Sequence, residues 1–439
     1  MPWPFIQHDP NLCIEKEEKS TRLIHVVLAG SDKNSAYAFQ TIIENSIKQF
    51  SIFQTTVEAE SFLNLNFENF FDYLDSGLKT LKKHQADILI RICQDKNNIR
   101  LNFQTPDLYF TDTPPFFSLL SSIYLPASIF NTSLLVPEIS TLIASTLIAL
   151  CLKKDERYIS YLQNFIKILS KNKIPQGIDS ELLSHILNLL AFNYIAANMS
   201  HFEKQDVKVI LNLIKFAQQK KNKEYNALID AGLLSTLGQM YQCATTGKNA
   251  NTYMLLERAI ESYKKAQKHF NKYVFPYDYG RLSLVLAKLH FRIFKLSNDN
   301  QTLRDAIFYL REAEKIFTKT LFENLWAEIE HNLGIYLAVL SSRSNNESIV
   351  MLSIQSFEKE QQVYSKTNAP QTWANIETLI ADTYYHFGKK TSQIKHLEKA
   401  IEHYGNAFEV FAELKNTEKL SQIETYVQKA DEEIMLLEK

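Results

Sequence analysis

The sequence predicts a mostly α-helical chain: a solenoid of helical hairpins behind a small N-terminal α/β domain. Three observations predict it. Glycine (10) and proline (11) are scarce, together about 5% of the chain against an ordinary share of roughly 12%. Glycine supplies positive-φ turns and the close backbone approach of phosphate-binding loops. Helices with short polar connections therefore fit better than a strand-rich fold or Gly-rich nucleotide binding. A period of 47 residues runs through the second half of the chain. Near the N-terminus, by contrast, stands a β-branched apolar run that ends in glycine, Thr21–Gly30. With 439 residues, 45% of them hydrophobic, the chain is long enough for two or three domains or one extended array, and it can bury a core.

Residues 1–20 read as an N-terminal extension. Their start, MPWPFIQHDP, has no basic segment followed by an apolar run, so no signal peptide is expected. The small α/β domain is predicted over 21–115. Thr21–Gly30 reads as a strand, Ser35–Phe50 as an amphipathic helix and Phe50–Val57 as a second strand. Glu68–His84 fits a helix with Phe70, Phe71, Leu74, Leu78 and Leu81 on one side. Ala86–Cys93 and Ile99–Thr105 read as two strands of a hairpin, separated by the turn signal DKNN. The element order is β-α-β-α-β-β.

Residues 116–177, Pro-punctuated apolar segments and then helices, are predicted to be a helical region that joins this domain to the repeats. Within it Leu134 to Leu152 is nearly apolar and about one bilayer long. Pro137 and Glu138 suit the first turn of a helix, and Ser and Thr are frequent. A buried helix closing a globular domain is expected there, and no membrane span.

Five units are predicted over 178–415, the first degenerate, with 416–439 as a capping helix. The pairs Leu190-Ala191, Leu237-Gly238, Leu286-Ala287, Leu333-Gly334 and Ile380-Ala381 recur at steps of 47, 49, 47 and 47. Val209, Leu256, Leu303, Val350 and Leu397 recur at 47 throughout, as do Phe216, Tyr263, Leu310, Phe357 and Tyr404. Ala259, Ala306 and Ala400 fall on the same grid, with Ser353 in the gap. Each unit reads as two helices. The small residue of the first and the Ala of the second let the helices approach closely, and the aromatic residue four positions after that Ala fills the space beside it. A unit of this kind cannot bury its apolar face without neighbours.

These residues resemble the tetratricopeptide repeat, whose pattern is Trp-x2-Leu-Gly-x2-Tyr and then Ala-x3-Phe/Tyr. Leu237-Gly238-x2-Tyr241, Ala259-x3-Tyr263 and Ala400-x3-Tyr404 match it. Trp326-Ala327 and Trp373-Ala374, seven residues before the small-residue pair, further resemble the long-period bacterial variant. The period of 47 departs from the common 34, so helices and connections are longer. The element order at 21–106, with Ala-Asp-Ile-Leu-Ile and then Ile-Arg-Leu, resembles the amino-terminal α/β domain of TolB-like bacterial proteins, which are often fused to tetratricopeptide arrays. That resemblance implies a domain not catalytic in itself. The repeat resemblance implies a groove lined by the first helix of each pair. On the Leu-Gly register its inward positions are Arg281, Lys288, Glu328, His331, Asn375, Asp382 and Tyr385.

The sequence offers little catalytic chemistry. No HExxH, GxSxG or EF-hand loop occurs. Gly30-Ser31-Asp32 lies where a strand–loop–helix turn can hold phosphate, but it has one glycine and reads as the turn. His396 and His403 are seven apart on one helix face without a third ligand at typical spacing, so a solvated face is expected and no metal or cofactor. Cys13, Cys93, Cys151 and Cys243 form no CxxC and fit reduced thiols in a cytoplasmic protein. Lys and Arg (48) balance Asp and Glu (49), so no nucleic-acid partner is expected.

Two functional classes remain. The first is a non-catalytic scaffold or adaptor that binds a protein or peptide in the repeat groove. The second is a ligand sensor or enzyme in the α/β domain, regulated by the repeats in a bacterial regulatory system.

Overall fold

The computed structural model describes residues 24–30, 33–47, 53–59, 70–94, 98–105, 122–126, 143–144, 146–147, 180–198, 202–220, 227–245 and 251–438. The N-terminal part runs β1 (Ile24–Gly30), α1 (Lys33–Ile47), β2 (Phe53–Ala59), α2 (Phe70–His84), β3 (Ile88–Gln94), β4 (Asn98–Gln104) and β5 (Ser122–Pro126). The sheet order is β2-β1-β3-β4-β5. β1 is parallel to both neighbours, with Val26 opposite Thr55 on one side and Ile88 on the other; β4 and β5 add antiparallel.

The order β-α-β-α-β-β is present, and its physical basis is visible in β1. Val26 and Leu28 share a core with Phe39 and Ile43 of α1, while Val27 and Ala29 meet Leu81 of α2. A parallel strand covered on both faces reads as an unbroken apolar run, which is what the sequence shows. Arg91 of β3 is also buried. Its Nη1 donates to the Tyr73 carbonyl at 2.6 Å, its Nη2 to Ser76 Oγ at 2.8 Å, and the guanidinium lies 4.2 Å from the Tyr73 ring centroid. These contacts tie α2 to the sheet. Burial of the Tyr73 phenol pushes its pKa up to about 12.

β5 corrects the expectation that 116–177 is helical. Ser122–Pro126 adds to the free edge of β4, with Ile123 opposite Leu101 and Pro126 at the strand end opposite Asn98. Proline is tolerated at such an edge because its missing N–H leaves no ladder bond unmade. Of Leu134–Leu152, Ile143, Ala144, Thr146 and Leu147 are described; all are helical and buried. Asn193 Nδ2 donates to Thr146 Oγ1 at 3.1 Å. The rest of that segment lies outside the described residues, as do Cys13 and Cys151. Among the described residues no helix is long and apolar enough to cross a membrane.

The described residues from 180 onward are mainly helical, and the helices pack in adjacent pairs. They are α3 (Ser180–Asn198) with α4 (Lys204–Lys220), α5 (Ala227–Cys243) with α6 (Thr252–His269), α7 (Pro276–Ser297) with α8 (Asn300–Glu314), α9 (Glu323–Ser341) with α10 (Glu347–Gln361), and α11 (Pro370–Thr391) with α12 (Ile394–Glu413). A last helix, α13 (Thr417–Leu437), packs on α12. Local chemistry sets several ends. Proline opens α7 and α11, where its lost N–H has no intrahelical partner. The Asp299 carboxylate accepts from the amides of Gln301 and Thr302 to cap α8, and Asn346 caps α10.

Periodic positions form the interior from the second unit on; in the degenerate first unit Val209 and Phe216 are only partly buried, and Ile210 and Ala217, one position later, are buried instead. Leu256, Leu303, Val350 and Leu397 are all fully buried, as are Tyr263 and Tyr404. Gly238 and Gly334 sit against the faces of Tyr263 and Phe357: a Cβ there would stand 3.0 and 2.5 Å from ring carbons. The glycines thus serve helix–helix contact. One continuous core runs from Val26 and Leu28 of the sheet through Ile143 and Leu147 into Leu183, Leu187 and Leu190 of α3, and on to α6.

Candidate functional site

The first helices of successive pairs bring different parts of the predicted groove together. Lys288 of α7 donates to Glu328 of α9 at 2.9 Å, with both side chains partly exposed. This ion pair joins neighbouring first helices. His331, one turn along α9, bonds through Nδ1 to Glu360 of α10 at 2.9 Å. Burial disfavours its charge, but the Glu360 carboxylate outweighs that and raises its pKa. Asn375 occupies the register position of Glu328 one unit later, and is partly exposed.

Three of the seven predicted residues turn inward, which corrects the groove set. Arg281 is 5% exposed, and its charge, with that of Asp278, acts on the buried Tyr277. Asp382 is 1% exposed and accepts a hydrogen bond from the Tyr404 hydroxyl. Tyr404 stacks on Tyr426 of α13, so the last helix closes over this register position. Burial pushes the Asp382 carboxyl up to about 8, against the Tyr404 hydrogen bond and the Lys419 charge. Tyr385 belongs to the apolar core of α11 and α12.

His396 and His403 also depart from the solvated face expected of them. His396 is buried, bonds Glu347 at 3.1 Å and stands edge-on to Phe387. His403 bonds Glu377 at 2.8 Å and stacks on Tyr384. No group of three or more His, Cys, Asp or Glu that could hold a metal occurs among the described residues.

A half-buried polar ladder escaped the sequence reading. Gln267 Nε2 donates to Ser283 Oγ at 2.9 Å, Glu314 and Glu330 are joined through Lys359, and Gln361 Nε2 donates to Glu377 Oε1 at 2.6 Å. Each rung joins the second helix of one pair to the first helix of the next, and the rungs repeat every 47 residues. The same grid that revealed the apolar columns, applied to polar residues, would have found them.

The middle rung carries the charge. Lys359 donates to Glu314 and Glu330, both at 2.7 Å, and Arg311 holds Glu314 at 2.7 Å. Glu330 is fully buried. Burial and the neighbouring Glu314 push it up to about 7, in spite of Lys359. Burial alone would also raise Glu314, but Glu330 beside it and the cations Lys359 and Arg311 hold it at about 2. Between about pH 2 and 7 the pair thus keeps one proton and one negative charge. In the next rung burial opposes ionisation of Glu377, yet hydrogen bonds to His403, Gln361 and Asn406 hold it below the usual range. These rungs fix how one pair sits on the next.

The exposed part of the site is therefore a narrow polar seam on the first helices, made of Lys288, Glu328, His331 and Asn375. Comparison with protein-family models and with curated proteins finds no match to this chain.

Proposed function

We propose that the helix pairs form a tetratricopeptide-like solenoid whose first-helix face binds a protein or peptide segment, making the chain a non-catalytic scaffold. The observation that carries this reading is the Lys288–Glu328 pair, which bridges α7 and α9 at 2.9 Å on a face that His331 and Asn375 continue. Stacked helix pairs expose an extended surface of this kind, suited to an extended partner. A seam with both signs of charge suits a partner of mixed charge. Four cysteines without a CxxC spacing suit a reducing compartment such as the cytoplasm.

The test separates binding from architecture. The full chain is used as bait with Lys288→Glu, Glu328→Lys and the double swap. The swap restores the ion pair and with it the melting temperature. Partner capture should be weakened in all three. If the swap captures the same partners as the unaltered chain, the seam is an internal brace.

A second reading places a ligand sensor or enzyme in the α/β domain. It is favoured by one feature: β1 lies between parallel β2 and β3, the arrangement in which ligands sit beyond the carboxyl ends of the strands, here Gly30 and Gln94. Saturable nucleotide binding by the full chain, lost in Gly30→Val, would support it.

A further inference from the structure

A cleft of about 420 Å³ lies over α7 between α6 and α8. Tyr253, Ile260, Lys264 and Lys268 of α6, His290 of α7 and Thr302 of α8 line it. Its size falls in the range of small-molecule sites.

His290 is the unusual member. It is 5% exposed, and neither ring nitrogen has a hydrogen-bond partner. Asp305 Oδ2 stands 3.7 Å from Nδ1, beyond hydrogen-bond range. The ring is held from the other side by Tyr309, stacked at 5.4 Å. A buried imidazole left unpaired costs stability unless something completes its hydrogen bonds. The charges nearby indicate what could. Lys265 is already paired with Glu261 at 2.7 Å, which leaves Lys264 and Lys268 with Glu257 as the other charged members of the lining. Ile260, Ile293 and the half-exposed Tyr253 supply apolar wall. Burial and the Lys264 charge hold the His290 pKa at about 4, so at neutral pH the uncharged ring has one N–H to donate.

We propose that this cleft binds a small organic anion, a carboxylate or phosphate monoester on an aromatic or apolar body. His290 donates its N–H to the anion, Lys264 and Lys268 neutralise the charge, and the body rests on Ile260, Ile293 and Tyr253. The ring nitrogens are covered, so entry requires a side chain at the cleft to shift, and the proposal assigns this to the flexible Lys264, whose Nζ lies 5.7 Å from the Tyr309 ring centroid. This site is separate from the polar seam, so either can fail without the other.

The test titrates the full chain with benzoate, phenyl phosphate and, as neutral probe, benzamide. Calorimetry gives affinity, and histidine side-chain NMR gives the site, the His290 signal being assigned as the one lost in His290→Gln. At least one anion should bind saturably and move the His290 signal, and benzamide should not. The Lys264→Gln/Lys268→Gln variant should weaken binding about tenfold or more, a change of at least 1.4 kcal/mol. Neither lysine is buried, Lys264 being partly and Lys268 well exposed, so this variant keeps the proposal testable even where His290→Gln does not fold. The proposal is overturned if neither anion moves the His290 signal up to about 10 mM, the weak limit at which an affinity is still measurable. It is equally overturned if the double lysine variant binds unchanged, or if benzamide binds as well as the anions.

Discussion

Gly334→Ala should destabilise the protein even though alanine is the better helix former. In mid-helix that exchange by itself contributes about 1 kcal/mol of stability. At Gly334, however, an added Cβ would lie 2.5 Å from Phe357 Cε1, 2.6 Å from Cδ1 and 2.7 Å from Cζ. Carbon atoms pack at about 3.5–4.0 Å, so the ring would have to retreat by about 1 Å. Phe357 is fully buried in the α10–α12 core and has no open side to retreat into. Overpacking of this kind costs about 1–3 kcal/mol. Tyr404 accepts Ala381 in the same column, which shows that helix spacing can adapt in part and puts the net cost at about 1 kcal/mol. Gly405 supplies the control. It also lies in mid-helix, but nothing stands within 4 Å of its Cβ position, so Gly405→Ala should stabilise by about 0.5–1 kcal/mol. The assay is urea and thermal denaturation of both variants, with hydrogen exchange of α9 and α10 to detect local opening. Phe357→Leu should relieve part of the Gly334→Ala cost, because Leu310 is what this column carries in the α7–α8 pair. A Gly334→Ala protein as stable as Gly405→Ala would refute the close-packing account of these glycines.

Further outcomes follow from burial and charge. Leu333→Ala removes a fully buried side chain from the α7–α9 core and should cost about 2–5 kcal/mol; an unshifted thermal melt would contradict its place there. The native Glu330 pKa of about 7 lies above its ordinary 4.5, so the folded state keeps a proton that the unfolded chain releases. Its contribution is full below pH 4.5 and falls as pH rises to 7, by about 3 kcal/mol at roughly 1.4 per unit. Glu330→Gln should remove that slope, and pH–stability curves parallel to those of the unaltered chain would contradict the assignment. Lys359→Met leaves Glu314 and Glu330 without their shared cation. As Lys359 is 28% exposed, a loss of about 2–4 kcal/mol is expected in a urea titration, somewhat under that for a fully buried pair. Glu377 is held below the ordinary 4.5, so its stabilisation is present above that value and is lost as pH falls through the lower native one; His403→Gln should shrink this acid-side loss.

Much of the helical half was legible because its repeat is written in apolar residues. Leu256, Leu303, Val350 and Leu397 are all buried, with Val209 of the degenerate first unit the exception in their column, and burial of a periodic leucine needs no knowledge of its neighbour. Element bounds were close as well: the helix read at Ser35–Phe50 is Lys33–Ile47. The failures concern residues whose environment is supplied by a distant segment. Asp382 shares a register position with Lys288, yet α13 and Tyr404 close over one while the other reaches Glu328. Arg281 and His396 are polar residues whose helical spacing does not reveal whether a neighbouring helix covers them. β5 is five residues long and has meaning only against the open edge of β4. The ladder was missed because polar residues were read as solvated, although Ser283, Glu330 and Glu377 obey the same period as the leucines.

The shared core at the front of the row has one more consequence. The sheet, α3 and α6 hold a common interior, so the first helix pair is closed by strands on one side, while α13 covers α12 on the other. A copy of the unit inserted between α10 and α11 would find a complementary helix before it and behind it, together with a ready acceptor for its polar rung. A designed longer version of this protein should therefore be built from the middle.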